Sequence, residues 1–530
     1  LQEKYPQALA DFQRLVALAP NDSLGHKSCG DVYLIQKNYD QALQSFQRAR
    51  ELDPQDPQVW HALGQVYEAL GKSEQALECY SQVITLEPKS PTGYTARGYI
   101  YLVLRRYEQA LLDYDKAVEL APDLPDGYWG RGQVYEGQVS YQSSIAEYDK
   151  IIKLAPENAL GYLARGQMYL NLEQYDQARQ DLDQAIALEP TEPLAYSYRG
   201  ILLENQGDYQ GALNDYDNVV RLLPDQPQGY FNRGSALIEF KAYDRAVASL
   251  DHALKLNPQD PQTWATKADA LRLWGCEVNV SEKLSEALIA VEEALKLASE
   301  NAVAHAVRGS IVAALARYNE AVAALDEAIR IDPRYGFAYW QKGKALYHLG
   351  DAKLALETFD KLGELGTEFM SQAVVGQALA LRQLNLVSEA TRILQKSEEG
   401  VPHEANSYLD RAYYFDEIEA IDDAVAYCRE AIKLNGRLAA AHNLLAWIQA
   451  EKLGTNLEEA TTEAEQAVKL ESNPRDRGNN LDTLGWVWYK RGDLEKARYY
   501  LHQAVELAEP DLLIRTHLEI VERQLIANTL

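Results

Sequence analysis

The sequence is short of cysteine, of long apolar runs and of positive charge, and each shortage closes off a class of protein. No segment approaches the roughly 18 consecutive apolar residues that a membrane-spanning helix requires, so membrane insertion is not expected. Four cysteines, Cys29, Cys79, Cys276 and Cys428, lie far apart with no CxxC pair, which argues against a zinc site or a disulfide framework. With 79 acidic residues against 52 basic, the formal net charge is -27. No local basic patch offsets that field, so phosphate backbones are repelled and nucleic acid is not an expected partner. Catalytic signatures are missing as well. The nine histidines are scattered without an HExxH or a pair at ligand spacing, and neither a P-loop nor GxSxG occurs. Glu430 with nearby His442 reads as surface decoration. The expectation is a protein without cofactor, metal or enzymatic activity.

What the sequence does have is a period. On a 34-residue step, Gly30, Gly64, Gly98, Gly132, Gly166, Gly200 and Gly234 share one column. Pro20, Pro54, Pro88, Pro122, Pro156, Pro190, Pro224 and Pro258 share another. A third holds Ala42, Ala76, Ala110, then Ser144 as an exception, then Ala178, Ala212 and Ala246. PQVWHALGQVYEALGKSEQALECYSQVITLEP, from Pro57, shows the unit at its clearest. The pattern of W, LG and Y followed by A, F, A and P resembles the tetratricopeptide repeat. That resemblance, which runs the length of the chain, implies an all-α, right-handed superhelical solenoid. It would hold about fourteen helix-turn-helix repeats, a leading half-repeat and a C-terminal capping helix.

The columns have mechanical reasons. Glycine and alanine belong where two helices cross closely, and tyrosines such as Tyr94, Tyr101, Tyr107 and Tyr114 recur at helical spacing to fill the space between helices. Asp56-Pro57, Ser90-Pro91 and Asp260-Pro261 place a capping side chain before a proline at the first helical position. Gly71, Gly207, Gly350 and Gly492 fall at turns between helices, where a left-handed residue is wanted. Arg97, Arg131, Arg165, Arg199, Arg233 and Arg308 each precede a column glycine. Each has an aspartate eighteen residues later: Asp115, Asp149, Asp183, Asp217, Asp251 and Asp326. These predict an ion-pair ladder, within a unit or between neighbours.

The regular array runs over residues 1–260. Residues 261–370 continue it, with an insertion near 274–283 that lengthens the expected turn by about seven residues and carries Trp274. A longer turn projects from the edge of a solenoid, as a neutral loop or a partner contact. The phase then slips at LGELGTEFMS. Residues 371–510 hold degenerate repeats that keep Ala390, Pro402, Ala424 and Ala431, lose the column glycine, and end in a regular one. Residues 511–530 form the amphipathic cap, which covers a face that would otherwise be bare. The chain opens in the second half of a repeat with neither Met nor signal peptide, so something upstream is expected, whether a signal, more repeats or an effector domain. The compartment is read as cytoplasmic.

The resemblance also implies where a partner would sit. In this family the inner wall is lined by the first helix of each unit at its second, fifth, ninth and twelfth positions. Those positions hold the aromatic residues His61, Tyr99, Trp129, Phe231, Trp340, Trp447 and Trp486, and among them Gln65, Glu68, Gln133, Glu136 and Gln167. Such a wall suits a protein or peptide partner of neutral to basic character, since amides meet a peptide backbone and carboxylates meet basic side chains. The lysine, asparagine and arginine clamp by which family members hold a chaperone's C-terminal tail is absent: only Asn232 matches, beside Ser197, Ile201, Gln262 and Thr266. Three readings follow. The first is an interaction scaffold, whose sharper form is the sensor arm of a larger protein. The second is a structural spacer that associates with its own copies. The third is the non-catalytic part of an enzyme, such as a protease or glycosyltransferase bearing these repeats.

Overall fold

The computed structural model describes residues 5–277, 281–399, 405–417, 419–471, 473–508 and 512–529, and every regular element among them is helical. Pro402 and residues 278–280 of the insertion lie outside the described residues. The helices fall into two compact units, Leu1–Asp208 and Tyr209–Leu530.

The first unit opens with α1 (Tyr5–Leu18). Five hairpins follow: α2 and α3 (Ser23–Ile35, Tyr39–Leu52), α4 and α5 (Pro57–Ala69, Ser73–Leu86), α6 and α7 (Pro91–Val103, Tyr107–Leu120), α8 and α9 (Pro125–Gly137, Tyr141–Leu154), and α10 and α11 (Ala159–Asn171, Tyr175–Leu188). α12 (Pro193–Asn205) ends it. The second unit begins with α13 (Tyr209–Leu222) and runs through α14 and α15 (Pro227–Glu239, Tyr243–Leu256), α16 and α17 (Pro261–Glu277, Ser281–Leu297), α18 and α19 (Ala302–Ala314, Tyr318–Ile331), and α20 and α21 (Gly336–Leu349, Ala352–Leu365). Then come α22 and α23 (Met370–Gln383, Val387–Glu399), α24 and α25 (Ala405–Glu417, Ile421–Leu434), α26 and α27 (Ala439–Trp447, Leu457–Leu470), α28 and α29 (Pro474–Lys490, Leu494–Ala508), and α30 (Leu512–Thr529).

The glycine column does what its spacing predicts. A Cβ on Gly64 would lie 2.4 Å from the Tyr80 ring, and one on Gly132 would lie 2.6 Å from Tyr148. Both rings are fully buried. Thus the first helix drops its side chain so that a ring from the second helix can come up against its backbone. A second regularity explains many of the remaining aromatics. Near the start of a first helix, Trp60 donates its indole N–H to the Pro54 carbonyl at 2.9 Å, Trp264 to Pro258 at 3.0 Å, and the Tyr128 hydroxyl to Pro122 at 3.0 Å. Each closes the preceding turn while its body packs between helices.

The caps form as well. Asp56 accepts from the Gln58 N–H at 2.8 Å, and Asp260 from the Thr263 N–H at 3.1 Å. Gly71, Gly207, Gly350 and Gly492 all adopt positive φ. Other turns make the same bend without glycine, and Val139, between α8 and α9, sits at φ 59°. A β-branched residue is a poor fit there. Val139→Gly is therefore expected to stabilise the first unit by about 1 kcal/mol, the strain relief outweighing the greater chain entropy of glycine. Urea unfolding would report it as a higher midpoint; a lower one would show that the turn carries no strain.

The ladder is present and runs between neighbouring hairpins. Arg131 reaches back to Asp115 at 2.9 Å, Arg165 to Asp149 at 2.5 Å, Arg199 to Asp183 at 2.7 Å and Arg233 to Asp217 at 2.9 Å. Lys267 and Lys342 take Asp251 and Asp326, both at 2.6 Å. Arg308 takes Glu292 at 2.6 Å. A second rail escaped the sequence reading. Asp113, Glu147 and Asp181, sixteen residues after Arg97, Arg131 and Arg165, bind the same guanidiniums from within the hairpin at 2.7, 2.6 and 2.7 Å.

Two expectations are corrected. The insertion does not project as a long turn: α16 and α17 have 17 residues each where typical first and second helices have 13 and 14, so four and three of the extra residues are helical. Trp274 lies on α16, half-buried against the core of its hairpin, with the Lys283 ammonium 4.5 Å from the centre of its ring. The second correction concerns His442, which is buried rather than decorative. Its Nδ1 lies 2.5 Å from Glu463 and its Nε2 3.2 Å from the Gly436 carbonyl, while Glu430 pairs with Lys433.

Candidate functional site

In the first unit, His61, Gln65 and Glu68 lie on α4, Tyr99 on α6, Trp129, Gln133 and Glu136 on α8, and Gln167 on α10. Helical spacing sets each trio about one turn apart, on one side of its helix. The rings lean on the tyrosines of the second helices: His61 stands 5.5 Å from Tyr80, and Trp129 5.4 Å from Tyr148. The tyrosine hydroxyls in turn point at the carboxylates, Tyr80 to Glu68 at 3.1 Å and Tyr148 to Glu136 at 3.5 Å. Gln167 donates to the other oxygen of Glu136 at 3.2 Å, which links α10 to α8. Tyr99 remains 43% exposed between these two clusters.

The electrostatics follow from that packing. Burial raises the Glu136 carboxyl above its usual range, and the hydrogen bonds from Tyr148 and Gln167 offset only part of the cost. Burial likewise pushes the Tyr80 and Tyr148 phenols up and lowers the His61 imidazole. Among the described residues, neither Glu68 nor Glu136 has a lysine or arginine at ion-pair distance. They meet tyrosine hydroxyls and, for Glu136, an amide instead.

In the second unit the wall is different. Phe231 on α14 and Trp447 on α26 are half-buried. Trp340 and Trp486 are 3% and 7% exposed, which corrects the expectation that they line an open wall. Trp340 packs 5.6 Å from Phe359 and 5.7 Å from Tyr414, and donates its indole N–H to Glu417 at 3.1 Å. Lys344 joins the same carboxylate at 2.6 Å, so α20 is tied to α24. Trp486 donates to Glu451 at 2.7 Å and is stacked by His517 of α30 at 4.0 Å. Glu417, Glu451 and His517 were not singled out in the sequence, and no periodic signal marks them. Among the described residues, no group of three His, Cys, Asp or Glu side chains is placed to hold a metal, and no helix is long and apolar enough to cross a membrane.

This arrangement of helical hairpins, each leaning on the next and carrying rows of aromatic and polar side chains on its first helices, defines a repeat scaffold. The family model described as "Tetratricopeptide repeat" matches residues 61–125, 95–159, 163–227, 199–261 and 313–368, and a second, "TPR repeat", matches residues 30–71. The chain belongs to the tetratricopeptide repeat family. No curated protein matches it. Among solved structures it is similar to the APC/C hetero-tetramer Cut9-Hcn1, at 15% identity over 96% of this chain and 98% of that one, with a TM-score of 0.46. It is also similar to yeast Tom70, at 16% identity over 88% and 96%, TM-score 0.36. YrrB, described as a TPR protein with an unusual peptide-binding site, is 25% identical over 34% of this chain and 94% of its own, TM-score 0.29.

Proposed function

We propose that this protein is an interaction scaffold whose first unit holds an extended, neutral to basic polypeptide segment along α4, α6, α8 and α10, as a free-standing protein or as the recognition arm of a larger one. The observation that carries the reading is the pair Glu68 and Glu136, carboxylates set among aromatic rings and amides with no cation of the chain's own beside them. A basic side chain of a bound segment would supply the missing charge. Tyr99 and Trp129 would take its apolar parts, and Gln65, Gln133 and Gln167 its backbone. Phe231 and Trp447 are candidates of the second unit taken by itself.

The test is fluorescence anisotropy of labelled extended peptides on the full chain, matched for length and carrying lysine, glutamate or neither. Lysine peptides are expected to bind best, and Glu68→Gln or Glu136→Gln to weaken them about tenfold each, the size of one charge-assisted hydrogen bond. The pH dependence has a definite sign. Since Glu136 is raised, it protonates earlier than an ordinary carboxylate as pH falls, and affinity for lysine peptides should drop at correspondingly higher pH. Glu136→Gln should flatten that profile. Equal binding of acidic peptides, or indifference to both substitutions, rejects the reading. A spacer that associates with its own copies would instead sediment as growing oligomers with rising concentration and no partner added.

A further inference from the structure

Within its period of one hairpin, the first unit carries a second period of two. Glu68 on α4, Glu136 on α8 and Glu204 on α12 stand 68 residues apart at one helix position, and the alternate hairpins put Leu34, Leu102 and Leu170 there. The tyrosines of the second helices do not impose this alternation. Tyr114 on α7, only 3% exposed, holds the place of Tyr80 and Tyr148 with Leu102 in the column of the carboxylates. Such a ring is therefore accommodated without an acid, and the acids at every second hairpin need another reason.

Three consecutive members of the alternating set reach the surface. Glu68 is exposed, Leu102 and Glu136 are half-buried, and Leu170 is covered. On α6 the exposed ring of Tyr99 stands about one turn before Leu102. Tyr80 takes one oxygen of Glu68, and no hydrogen bond among the described residues reaches the other. Each Glu136 oxygen accepts one bond, and a carboxylate has about four accepting places. The wall from α4 to α8 thus reads acid, apolar, acid, one reading per hairpin, with room at both acids for a further donor.

The step between these readings selects a backbone. Packed helices stand about 8–10 Å apart, which sets the scale of one hairpin step. A polyproline II chain has three residues per turn and rises about 3.1 Å per residue, so one turn covers about 9 Å and returns a side chain to the same side. A β-strand covers the same step in about three residues but alternates faces, so its third side chain points away from the wall. A polyproline II backbone also makes no internal hydrogen bonds, which leaves its carbonyls for the amides of Gln65 and Gln133.

We propose, building on the reading that the first unit holds a neutral to basic extended segment, that this segment is a polyproline II stretch with basic side chains six residues apart and an apolar one midway. The basic groups meet Glu68 and Glu136, and the apolar one meets Tyr99 and Leu102. Charge complementarity fixes the ends and the pitch fixes the spacing.

The test is anisotropy on the full chain with labelled, end-capped, proline-rich peptides of equal length and composition, their two lysines five, six or seven residues apart around one leucine. Six should bind about tenfold tighter than five or seven, the worth of the second charge-assisted contact. That preference should vanish in Glu68→Gln and in Glu136→Gln, where one charged contact is left. Tyr99→Ala should weaken the leucine peptide about tenfold and leave a peptide with serine midway unchanged. The proposal is overturned if lysine peptides bind alike at all three spacings, if valine in place of the prolines binds as tightly, or if the spacing preference survives both glutamine variants. In those cases the scaffold reading stands as long as lysine peptides outbind acidic ones; when they do not, that reading falls too.

Discussion

Replacing Phe359 with alanine is expected to destabilise the second unit by about 3–5 kcal/mol, the range for emptying a fully packed aromatic site. Phe359 is 1% exposed and held on two sides by glycines. A Cβ on Gly343 would stand 2.3 Å from its ring and one on Gly376 would stand 2.4 Å away, so α20 and α22 both lie against it with bare backbone. Trp340 covers it from a third direction at 5.6 Å. With no side chains on the glycines to move inward, the vacated space cannot be refilled locally. Since most contacts of a hairpin in an array are with its neighbours, the damage should stay local and split unfolding into stages. Hydrogen exchange is the decisive measurement: α20, α21 and α22 should lose protection while α28 and α29 keep theirs. Uniform loss across the unit would mean that it unfolds as a single cooperative block.

Replacing Arg165 with methionine is expected to cost the first unit about as much, roughly 3–5 kcal/mol, for an electrostatic reason. The Arg165 guanidinium forks onto both oxygens of Asp181 at 2.7 Å and reaches Asp149 with its remaining nitrogen. Asp181 is 3% exposed, so removing the guanidinium strands a buried carboxylate, whereas methionine keeps the packing of the stem. Asp149, with its side chain 39% exposed, can turn to water, and Asp149→Ala should cost less than about 1 kcal/mol. The double variant Arg165→Met with Asp181→Leu should recover most of the loss, because the charge and its partner vanish together. Urea unfolding of the parent chain, Arg165→Met, Asp181→Leu and the double variant forms the thermodynamic cycle. If the double variant is as unstable as the single one, the pair is not what holds α10 to α11.

The fold was open to sequence reading because nearly every contact that makes it repeats. Gly64 lies under Tyr80 as Gly132 lies under Tyr148, and such pairs appear as columns 34 residues apart. The aspartates of the ladder were visible for the same reason. Asp113, Glu147 and Asp181 were not, because their column also holds Ser249, which Arg233 meets at 2.8 Å, and a mixed column looks like noise. In the degenerate stretch the crossing at Phe359 uses Gly376, a glycine outside the column, so the loss of the pattern concealed a contact that was kept. The insertion misled differently. Extra residues between two helices read as a turn, yet they also extend helices when their apolar side chains find the core, as those of Trp274 and Leu284 do.

The sequence by itself determined the hairpin, its period, its caps and the near-neighbour packing, since all of these are local and each recurs often enough to be recognised. Tertiary structure decided which of the candidate aromatics are covered and what lies beside them. Trp340 meets Glu417 at a separation of 77 residues, and Arg515 meets Asp244 at 271. Contacts of that kind occur once and follow from small angles added over several hairpins of the second unit, so no column in the sequence records them.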